Sequence, residues 1–393
     1  MDITGAELGQ AISRLRHSHA GKASALTQAH VIRVLTEFAR CWRDRSFGPR
    51  RRAESIIDPF PFAMVEVSLN ALLDSLTPER LWGLIDSEDV RGACGQPLIG
   101  QVIAGNTPLL SWFAVIRALL VGSASLVKLP SGPASVWGLL FQESLREVSP
   151  ELAECVLMAR WPGGTTELDT ALCGGVDLLM ASGGDDTLRA LRALCPAGTP
   201  FVGYGHRVSF GLATRGSAHA EAADGFARDV LVYDQGGCLS PHTIFVEGDR
   251  HEVEEFAALL AAALSRAVCR YPLPVRDGEA AGAVREARAL AQMDDGVTLW
   301  ADPTLRWTVI ARPERAFAAS PTFGVVSVQP LESLSDLPEA LAPVSAFLQG
   351  CAVAGEALNY LPGVSYLCAP GDLQSPPLSW RQDVRDVLRL LVR

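Results

Sequence analysis

The sequence predicts an α/β protein with a mostly parallel sheet, and three observations support this prediction. From residue 97 onward, short apolar runs alternate with stretches of helical spacing. Glycine-containing junctions at residues 105, 132 and 183 separate these runs. The chain has 393 residues, of which 48% are hydrophobic and 20% charged, enough for a large core in two or three domains. Strands that alternate with helices favour right-handed crossovers and a parallel sheet, which binds ligands at the carboxyl ends of its strands.

The elements are predicted from apolar periodicity and from the residues that interrupt it. The first ninety or so residues have helical spacing, most clearly between residues 26 and 42. Strands are then predicted at 97–104, 125–129, 156–161, 176–181 and 200–202, and helices at 109–120, 136–148 and 188–194. A second unit is expected after residue 205. Its predicted helices are 220–231, 253–266 and a terminal helix from residue 383, and its predicted strands are 243–247, 298–300, 307–310 and 325–328.

Composition limits the classes of function. The net charge of -10 argues against nonspecific nucleic-acid binding. No secretory leader is recognisable, and the longest apolar runs are too short to span a bilayer, so we expect a cytoplasmic protein. The nine cysteines are scattered without a CxxC pair, which favours reduced thiols over disulfides or a zinc site. The histidines show no ligand spacing with the cysteines, and we expect no metal.

Cys238 differs from the other cysteines in its local context. Two glycines precede it, and Ser240 and Pro241 follow shortly after, so a tight turn rather than an apolar run contains it. Glycines let the backbone expose a sulfur and leave N–H groups free to face a developing oxyanion. A nucleophilic thiol and a structural loop cysteine are both compatible with this context.

Three other segments lie where predicted strands end, which is where a dinucleotide would lie. After Gly105, the Asn106 amide can donate to an oxyanion, although asparagine before a proline turn is also ordinary turn chemistry. Lys128 can reach a ribose or a phosphate, or it is a lone surface lysine. The segment Ser182, Gly183 and Gly184 opens a helix and can present N–H groups to a pyrophosphate, although small residues are common at helix starts.

Taken in chain order, these segments resemble the aldehyde dehydrogenase superfamily. The matching motifs are the oxyanion asparagine at 105–108, the lysine-containing cofactor strand at 126–131, the small-residue turn at 181–183, the nucleophile motif at 235–238 and the Phe-Gly strand at 323–326. Residues 234–241 and the tail at 371–383 are similar to the LuxC-type fatty acyl-CoA reductases. The resemblance covers the chain from about residue 60 to its end.

The resemblance implies an aldehyde dehydrogenase-like fold with two α/β domains. The expected regions are an N-terminal helical region at 1–95, packed on a Rossmann-type nicotinamide cofactor domain at 96–205. A catalytic thiol domain is expected at 206–345. The C-terminal segment at 346–393 is expected to return to the cofactor domain.

Departures from the superfamily pattern bear on the reaction. Aldehyde-oxidising members open the glycine-rich segment before the catalytic domain with a glutamate that activates the hydrolytic water, and residues 203–209 contain no acid. Its absence favours reduction of a thioester over oxidation of an aldehyde. The Phe-Gly motif also lacks its upstream glutamate, so that nicotinamide-ribose binding must differ in detail.

Ser131 stands where NAD-preferring members often have a glutamate against the ribose. A neutral serine leaves room for a 2′-phosphate beside Lys128, so we expect NADPH rather than NADH.

The resemblance therefore implies an acyl-CoA or acyl-carrier thioester reductase that forms an aldehyde through a Cys238 acyl-enzyme. Asn106 and the Cys238 N–H would hold the oxyanion, and we expect the site to depress the thiol pKa below about 8.5. His206 lies near the missing glutamate and can relay a proton, or it is an ordinary hinge histidine. His242 is more readily explained as the start of a strand.

Other functions and partners stay open at this point. The alternatives are an aldehyde or semialdehyde dehydrogenase running in the oxidative direction, and a non-redox cysteine acyltransferase or thioesterase. A catalytically idle scaffold is disfavoured by the joint presence of Asn106, Lys128 and Cys238. The resemblance implies acyl-CoA or an acyl-carrier protein as substrate, an acyl-activating synthetase as a possible partner, and a homo-oligomer.

Overall fold

The computed structural model of the chain describes residues 3–22, 26–273, 275–276, 278–356 and 358–393. By its internal contacts the chain divides into two compact units. Unit 1 is formed by Met1–His206, Pro377–Arg381 and Arg385–Arg393, and unit 2 by Arg207–Pro376 and Gln382–Val384. The segment predicted to return to the first domain, 346–393, is thus divided between the two units.

Unit 1 begins with helices, as the apolar spacing predicts. These are α1 (Gly5–Gly21), α2 (Gln28–Arg43), α3 (Gly48–Glu54), α4 (Phe62–Ser75) and α5 (Pro78–Ser87). Threonine side chains cap α1, α2 and α5 by accepting a backbone N–H of the first turn. The rings of Phe38 and Trp42 on α2 pack against the buried Trp112, with centroids 5.7 and 5.0 Å away. This aromatic contact joins the N-terminal helices to the helices that cover the first sheet.

The first sheet has five parallel strands in the order β3-β2-β1-β4-β5. The strands are β1 (Leu98–Val102), β2 (Ala124–Leu129), β3 (Val156–Arg160), β4 (Leu178–Ser182) and β5 (Phe201–Tyr204). The helices between them are α6 (Leu110–Leu120), α7 (Ser135–Val148), α8 (Pro150–Ala153), α9 (Thr166–Gly175) and α10 (Asp185–Leu194). Every residue of β1 and β2 is buried, as expected for strands covered on both faces. The chain order reverses between β1 and β4, which makes a ligand-binding crevice at their carboxyl ends.

The sheet of unit 2 has seven strands in the order β12-β11-β6-β7-β10-β9-β8, and only the β8–β9 pair is antiparallel. The strands are β6 (Val208–Ala213), β7 (Pro241–Glu247), β8 (Thr298–Ala301), β9 (Thr308–Ala311), β10 (Val325–Leu331), β11 (Leu348–Ala354) and β12 (Tyr366–Cys368). The helices are α11 (Ala220–Leu231), α12 (Arg250–Ala267), α13 (Gly278–Met293) and α14 (Leu337–Leu341). The predicted α/β fold with a mostly parallel sheet is confirmed.

The central strand β6 was not predicted from the sequence. All six of its residues are buried, but a serine and a glycine interrupt its apolar run. A Cβ on Gly211 would lie 2.5 Å from a ring carbon of Phe226. The glycine therefore allows α11 to pack closely on the sheet, and the residue that obscured the strand in the sequence serves the packing.

The predicted terminal helix from residue 383 is wrong. That region contains only short 3₁₀ turns, at Gln382–Val384 and Arg389–Leu391. Asp383 has a φ of 57°, which is incompatible with a right-handed helix. The Glu88 carboxylate accepts the backbone N–H groups of residues 387, 388 and 389 at 2.7–2.9 Å. A side chain from a distant part of the sequence thus satisfies the donors that a helix would have used internally.

Candidate active site

Cys238 lies in the loop between α11 and β7, directly after a left-handed stretch of backbone. Tyr233, Asp234 and Gln235 have φ values of 57°, 56° and 59°. Each non-glycine residue in this region costs roughly 1 kcal/mol or more. Gly236, in contrast, has an ordinary φ of -81°. The sharp turn expected at the glycines is therefore made by the three residues before them, which need contacts to hold them.

Buried polar contacts hold this turn. The Asp234 carboxylate pairs with both terminal nitrogens of Arg276, whose side chain is almost fully buried. The Gln235 amide donates to the carbonyl oxygens of Pro241 and Val325, each at 2.8 Å. These hydrogen bonds tie the turn to the first residues of β7 and β10, so the position of the nucleophile loop is set by the sheet.

Ser209 connects Cys238 to two strands of the same sheet. Its hydroxyl donates to the carbonyl oxygen of Cys238 at 2.8 Å and accepts the N–H of Gly350 at 3.0 Å. Ser209 belongs to β6 and Gly350 to β11. One buried hydroxyl therefore fixes the backbone of Cys238 against both strands.

The C-terminal tail also contacts the nucleophile loop. The Gln374 amide donates to the Ser240 hydroxyl at 3.0 Å. The tail is anchored by the buried Asp229 carboxylate, which accepts the N–H of Gly371 at 2.6 Å and of Leu373 at 3.1 Å. Burial raises the pKa of Asp229 to about 8, although these two N–H donors oppose the shift. The tail whose sequence is similar to the LuxC type thus packs beside the loop that carries the thiol.

The expected depressed pKa of the nucleophile is not found. Burial raises the pKa of the Cys238 thiol to about 11, and the charge of Asp383 raises it further. The N–H of Cys238 itself, the Arg207 guanidinium and the Gln349 amide act in the opposite direction. Cys238 keeps some exposed surface, but atoms packed around its sulfur make burial the largest influence. The local sequence could not reveal this because burial is a tertiary property.

The charged neighbours of the thiol form a pair of their own. Arg207 donates from two nitrogens to the two oxygens of Asp383, each at 2.8 Å. The Asp383 side chain is 3% exposed. This carboxylate is thus held by a guanidinium fork near the sulfur and is not placed as a free base.

In unit 1, Lys128 lies at the carboxyl end of β2 and is 9% exposed. Its ammonium lies 5.4 Å from the centroid of the Trp161 ring and makes no salt bridge with another described residue. Burial lowers the pKa of Lys128, and the charge of Asp169 partly opposes this. Lys128 is also one of only two lysines among 34 lysines and arginines. A buried ammonium without a carboxylate partner fits a ligand that bears hydroxyl or phosphate oxygens.

Ser131 lies beyond the end of β2 on an exposed junction. Its hydroxyl donates to the carbonyl oxygen of Trp161 at 2.9 Å. The indole N–H of Trp161 in turn donates to the Asp169 carboxylate at 2.8 Å. The structure therefore brings Ser131 and Lys128 to the same aromatic residue.

Gly105 and Asn106 follow β1 at the same edge of the first sheet, and both are exposed. A Cβ on Gly105 would lie 3.0 Å from the Cβ of Pro130, so this glycine lets the junctions after β1 and β2 approach each other. Asn106 belongs to unit 1 and Cys238 to unit 2. The proposed pairing of these two residues on one oxyanion stays a prediction.

The junction of Ser182, Gly183 and Gly184 matches the expected strand-to-helix position but not the expected free donors. The Gly183 N–H donates to the carbonyl oxygen of Tyr204 at 3.2 Å. Helix α10 begins with Asp185 and Asp186, and no side chain caps its first turn. Two carboxylates at a helix start repel a phosphate there. The expectation that this junction presents a row of free N–H groups is thus wrong for Gly183.

The two candidate histidines differ in surroundings. His206 is exposed and follows β5 at the end of the main segment of unit 1. His242 is buried inside β7, and its Nδ1 accepts the N–H of Ser320 at 3.0 Å. His242 is therefore a strand residue, in agreement with the sequence-based interpretation.

Sequence reasoning missed several residues that act on Cys238 or bind its backbone, namely Arg207, Ser209, Gln349 and Asp383. It also missed Asp229, which anchors the C-terminal tail. None lies within the nucleophile motif, and Asp383 is 145 positions from Cys238 in the printed sequence. The similarity of the tail to the LuxC type was the one signal that could have pointed to Asp383.

Among the described residues, no group of three or more acidic, histidine or cysteine side chains is placed to hold a metal. No described helix is both long and apolar enough to cross a bilayer.

Comparison with known protein structures shows the same fold as the aldehyde dehydrogenases. The NAD-dependent benzaldehyde dehydrogenase of Corynebacterium glutamicum aligns with 95% of this chain and 88% of its own, at 17% identity and a TM-score of 0.71. The aldehyde dehydrogenase KauB of Pseudomonas aeruginosa aligns with 94% of this chain and 82% of its own, at 17% identity and a TM-score of 0.72. The predicted aldehyde dehydrogenase-like fold is confirmed.

Sequence comparison identifies the family. The long-chain acyl-protein thioester reductase of Vibrio harveyi is 26% identical over an alignment of 249 residues, and the match covers 57% of this chain and 51% of that protein. The protein of the same name from Photorhabdus laumondii is 26% identical over 217 residues, 53% of this chain and 44% of that protein. The chain thus aligns with about half the length of these relatives. A family model described as acyl-CoA reductase (LuxC) matches residues 23–373. The chain therefore belongs to the LuxC family of acyl-CoA reductases.

Proposed function

We propose that this chain reduces an acyl thioester to an aldehyde, with Cys238 as the nucleophile and a reduced nicotinamide cofactor as the hydride donor. The observation that carries the proposal is the thiol itself: in a LuxC-family chain, a cysteine sits in a constrained turn fixed to three strands. Two relatives that align with part of this chain are named long-chain acyl-protein thioester reductases, which supports an acyl thioester as the substrate class.

The proposed chemistry balances as a two-electron reduction. The Cys238 thiolate attacks the thioester carbon, and the substrate's carbon–sulfur bond breaks, so that coenzyme A or a carrier thiol leaves. When bound, the cofactor supplies the hydride that turns the acyl-enzyme into a thiohemiacetal. Collapse of the thiohemiacetal returns an electron pair to the Cys238 sulfur and releases the aldehyde. One thioester, one hydride and one proton give one aldehyde and one thiol.

Donors from this chain stabilise the oxyanion in the proposal. The Cys238 N–H is one donor and the Asn106 amide is the other, a contact worth roughly 3 kcal/mol when well placed. His206 is the proposed proton relay to the leaving thiol.

Reduction is favoured over hydrolysis because neither residues 203–209 nor Asp383 offers a free carboxylate to activate a water molecule. Residues 203–209 contain no acid that could activate a water molecule. Asp383, which acts on the thiol, is bound by the guanidinium of Arg207. An acyl-enzyme without a free carboxylate among these residues to activate water persists long enough to accept a hydride.

The proposed cofactor is NADPH, with NADH as the weaker alternative. The buried ammonium of Lys128 is suited to the ribose or its 2′-phosphate, with Gly105 as a neighbouring part of the site. Ser131 adds no negative charge beside Lys128.

Substrate and partners complete the proposal. The acyl donor is acyl-CoA or an acyl-carrier protein, an acyl-activating synthetase supplies it, and the chain works as a homo-oligomer in the cytoplasm. The substrate, the synthetase and the oligomer rest on the family resemblance, and the cytoplasmic location rests on the apolar runs of the sequence.

The test mixes the purified chain with acyl-CoAs of several lengths and NADPH, follows the loss of NADPH absorbance and identifies the product. We expect an aldehyde. Without NADPH, mass spectrometry should find an acyl group on the Cys238 peptide. Cys238→Ala should be inert, whereas Cys269→Ala, which removes an exposed cysteine, should match the original chain.

Three results would contradict the proposal. Turnover by Cys238→Ala would show that Cys238 is not the nucleophile. A carboxylic acid formed from aldehyde and NAD, without thioester reduction, would show the oxidative direction. Acyl transfer without any binding of a nicotinamide cofactor would show a non-redox acyltransferase.

A further inference from the structure

Gln349 carries a fully buried side-chain amide. Its relative exposure is 0%, and neither its Oε1 nor its Nε2 has a partner among the described residues. Its backbone carbonyl is satisfied, since it accepts both the N–H and the hydroxyl of Ser365. Native proteins rarely bury an unpaired side-chain amide, because the lost hydration is not replaced. The side chain of Gln349 therefore calls for a functional explanation.

A β-bulge determines where this side chain points. Leu348 pairs with Val208 and Cys351 with Phe210, so Gln349 and Gly350 together face the single residue Ser209. Bulges turn side chains into new directions and are common beside active sites.

The apolar core shows the effect of the bulge on β11. Leu348 and Cys351 are three residues apart, yet both belong to the same hydrophobic cluster as Val208 and Phe210. In a regular strand, residues three apart would face opposite sides of the sheet. Neither Gln349 nor Gly350 joins that cluster.

A second irregularity lies on the other side of Ser209. Ser209 pairs with Pro241 and Phe210 with Thr243, so that His242 is the extra residue of β7. Both irregularities flank the serine whose hydroxyl donates to the Cys238 carbonyl oxygen. A Cβ on Gly350 would also lie 2.7 Å from Leu239, which follows the nucleophile in the chain. The bulge of β11 thus packs directly against the nucleophile loop.

The Gln349 amide acts on the Cys238 sulfur. It is one of the groups that lower the pKa of that thiol, which is the direction expected of an N–H donor near the sulfur. Because neither polar atom of the amide has hydrogen-bond geometry with any described residue, this contact is longer or less well aligned than a full bond. When negative charge develops on the sulfur, this contact can shorten to a hydrogen bond. The buried Gln349 N–H would then have a partner that it otherwise lacks among the described residues.

We propose that the Gln349 side-chain amide donates a hydrogen bond to the Cys238 sulfur whenever that sulfur is negatively charged, and is a further catalytic residue of the proposed reaction. The sulfur is charged when it attacks the thioester. It is charged again when the carbon–sulfur bond of the thiohemiacetal breaks, its electron pair returns to sulfur and the hydroxyl proton passes to water. This inference rests on the proposed role of Cys238 as nucleophile.

The test compares Gln349→Met, which keeps the length of the side chain and removes its donor, with Gln329→Met as a matched control. Gln329 is buried in the same sheet, its Oε1 also lacks a partner, and it pairs with Phe245 in the interior of β7. The probe is the rate at which iodoacetamide alkylates Cys238 between pH 7 and 10, measured on the isolated peptide by mass spectrometry. This readout requires no turnover.

Gln349→Met should raise the apparent pKa of Cys238 by about one unit, which slows alkylation about tenfold below that pKa. Its kcat/KM for acyl-CoA should fall at least about tenfold. Its thermal midpoint should stay the same or rise, because an unpaired buried amide has been replaced by an apolar group. Gln329→Met should alkylate like the original chain. Gln349→Leu serves as a second apolar variant if methionine does not fit.

An unchanged alkylation profile in Gln349→Met would overturn the inference. A lower thermal midpoint with unchanged alkylation would show a structural role only. If Cys238→Ala still turns over while Gln349→Met shifts the alkylation profile, the proposed function fails and the contact between amide and thiolate stands. If Cys238→Ala is inert and Gln349→Met alkylates normally, the function stands and this inference fails.

Discussion

The hydroxyl of Ser209 donates a hydrogen bond to the carbonyl oxygen of Cys238 at 2.8 Å. The same hydroxyl accepts the N–H of Gly350, so its removal leaves a carbonyl and an N–H unpaired. We predict that Ser209→Ala lowers the free energy of unfolding by roughly 1–3 kcal/mol. Because the nucleophile loop loses its tie to two strands, kcat should fall by about tenfold to a hundredfold.

Denaturant unfolding and steady-state kinetics check this prediction. Ser144→Ala is the control, since Ser144 is equally buried but its hydroxyl donates only to the Leu140 carbonyl oxygen within α7. An unchanged kcat in Ser209→Ala would mean that this hydrogen bond does not position the thiol.

Lys128 is a proposed cofactor contact because its buried ammonium makes no salt bridge with another described residue. We predict that Lys128→Met raises the Kd for NADPH by about tenfold to a hundredfold, the effect of losing a charge-assisted hydrogen bond. Acylation of Cys238 in the absence of cofactor should not change. Calorimetric titration measures the Kd. Lys22→Met is the control, since Lys22 pairs with Glu154 on the surface. If Lys128→Met and the original chain bind NADPH with equal affinity, Lys128 does not contact the cofactor.

Ser131 is expected to set the preference between the two nicotinamide cofactors. A carboxylate at this exposed position, beside Lys128, would repel a 2′-phosphate. We predict that Ser131→Glu lowers the ratio of kcat/KM for NADPH to kcat/KM for NADH at least about tenfold. Ser131→Gln has the same size without the charge and should leave the ratio nearly unchanged. A strong NADH preference in the original chain would contradict the assignment of NADPH.

Local sequence predicted the parts of the fold that depend on local periodicity. The strands of the first sheet are apolar runs buried on both faces, and their boundaries in the structure lie within a few residues of the prediction. Strand β6 was not predicted because Gly211 interrupts its apolar pattern. That glycine makes room for the ring of Phe226 on α11, a contact that the sequence does not reveal. The terminal 3₁₀ turns were not predicted because their N–H groups are bound by Glu88, which is 299 or more positions away in the sequence.

The site shows the same division between local and distant information. Cys238 could be proposed as the nucleophile from sequence because its motif is continuous along the chain. Its raised pKa was not predicted, because burial and Asp383 are contributed by distant parts of the chain. Gln349 could not have been predicted, since a glutamine in an apolar strand gives no sign of the bulge that turns it away from the core.

Asp229 gives the chain a pH-dependent stability. Burial raises its pKa to about 8 in the folded state, against about 3.9 in an unfolded chain. Between these values the unfolded chain releases the proton and the folded chain keeps it. The contribution of Asp229 to stability is therefore full below about pH 4 and is lost as the pH rises to about 8, on the order of 1 kcal/mol per pH unit.

We predict that Asp229→Asn removes this dependence. The amide cannot accept both N–H bonds from Gly371 and Leu373, so the variant should be less stable than the original chain at pH 5. The difference should shrink or reverse by pH 8, because asparagine has no proton to lose. Thermal unfolding at pH 5, 6, 7 and 8 measures the trend. Asp224→Asn changes an exposed carboxylate of the same helix, α11, which pairs with Arg266, and this variant should follow the original chain in its pH dependence. A constant difference between Asp229→Asn and the original chain across this range would show that Asp229 is already ionised in the folded protein at pH 5.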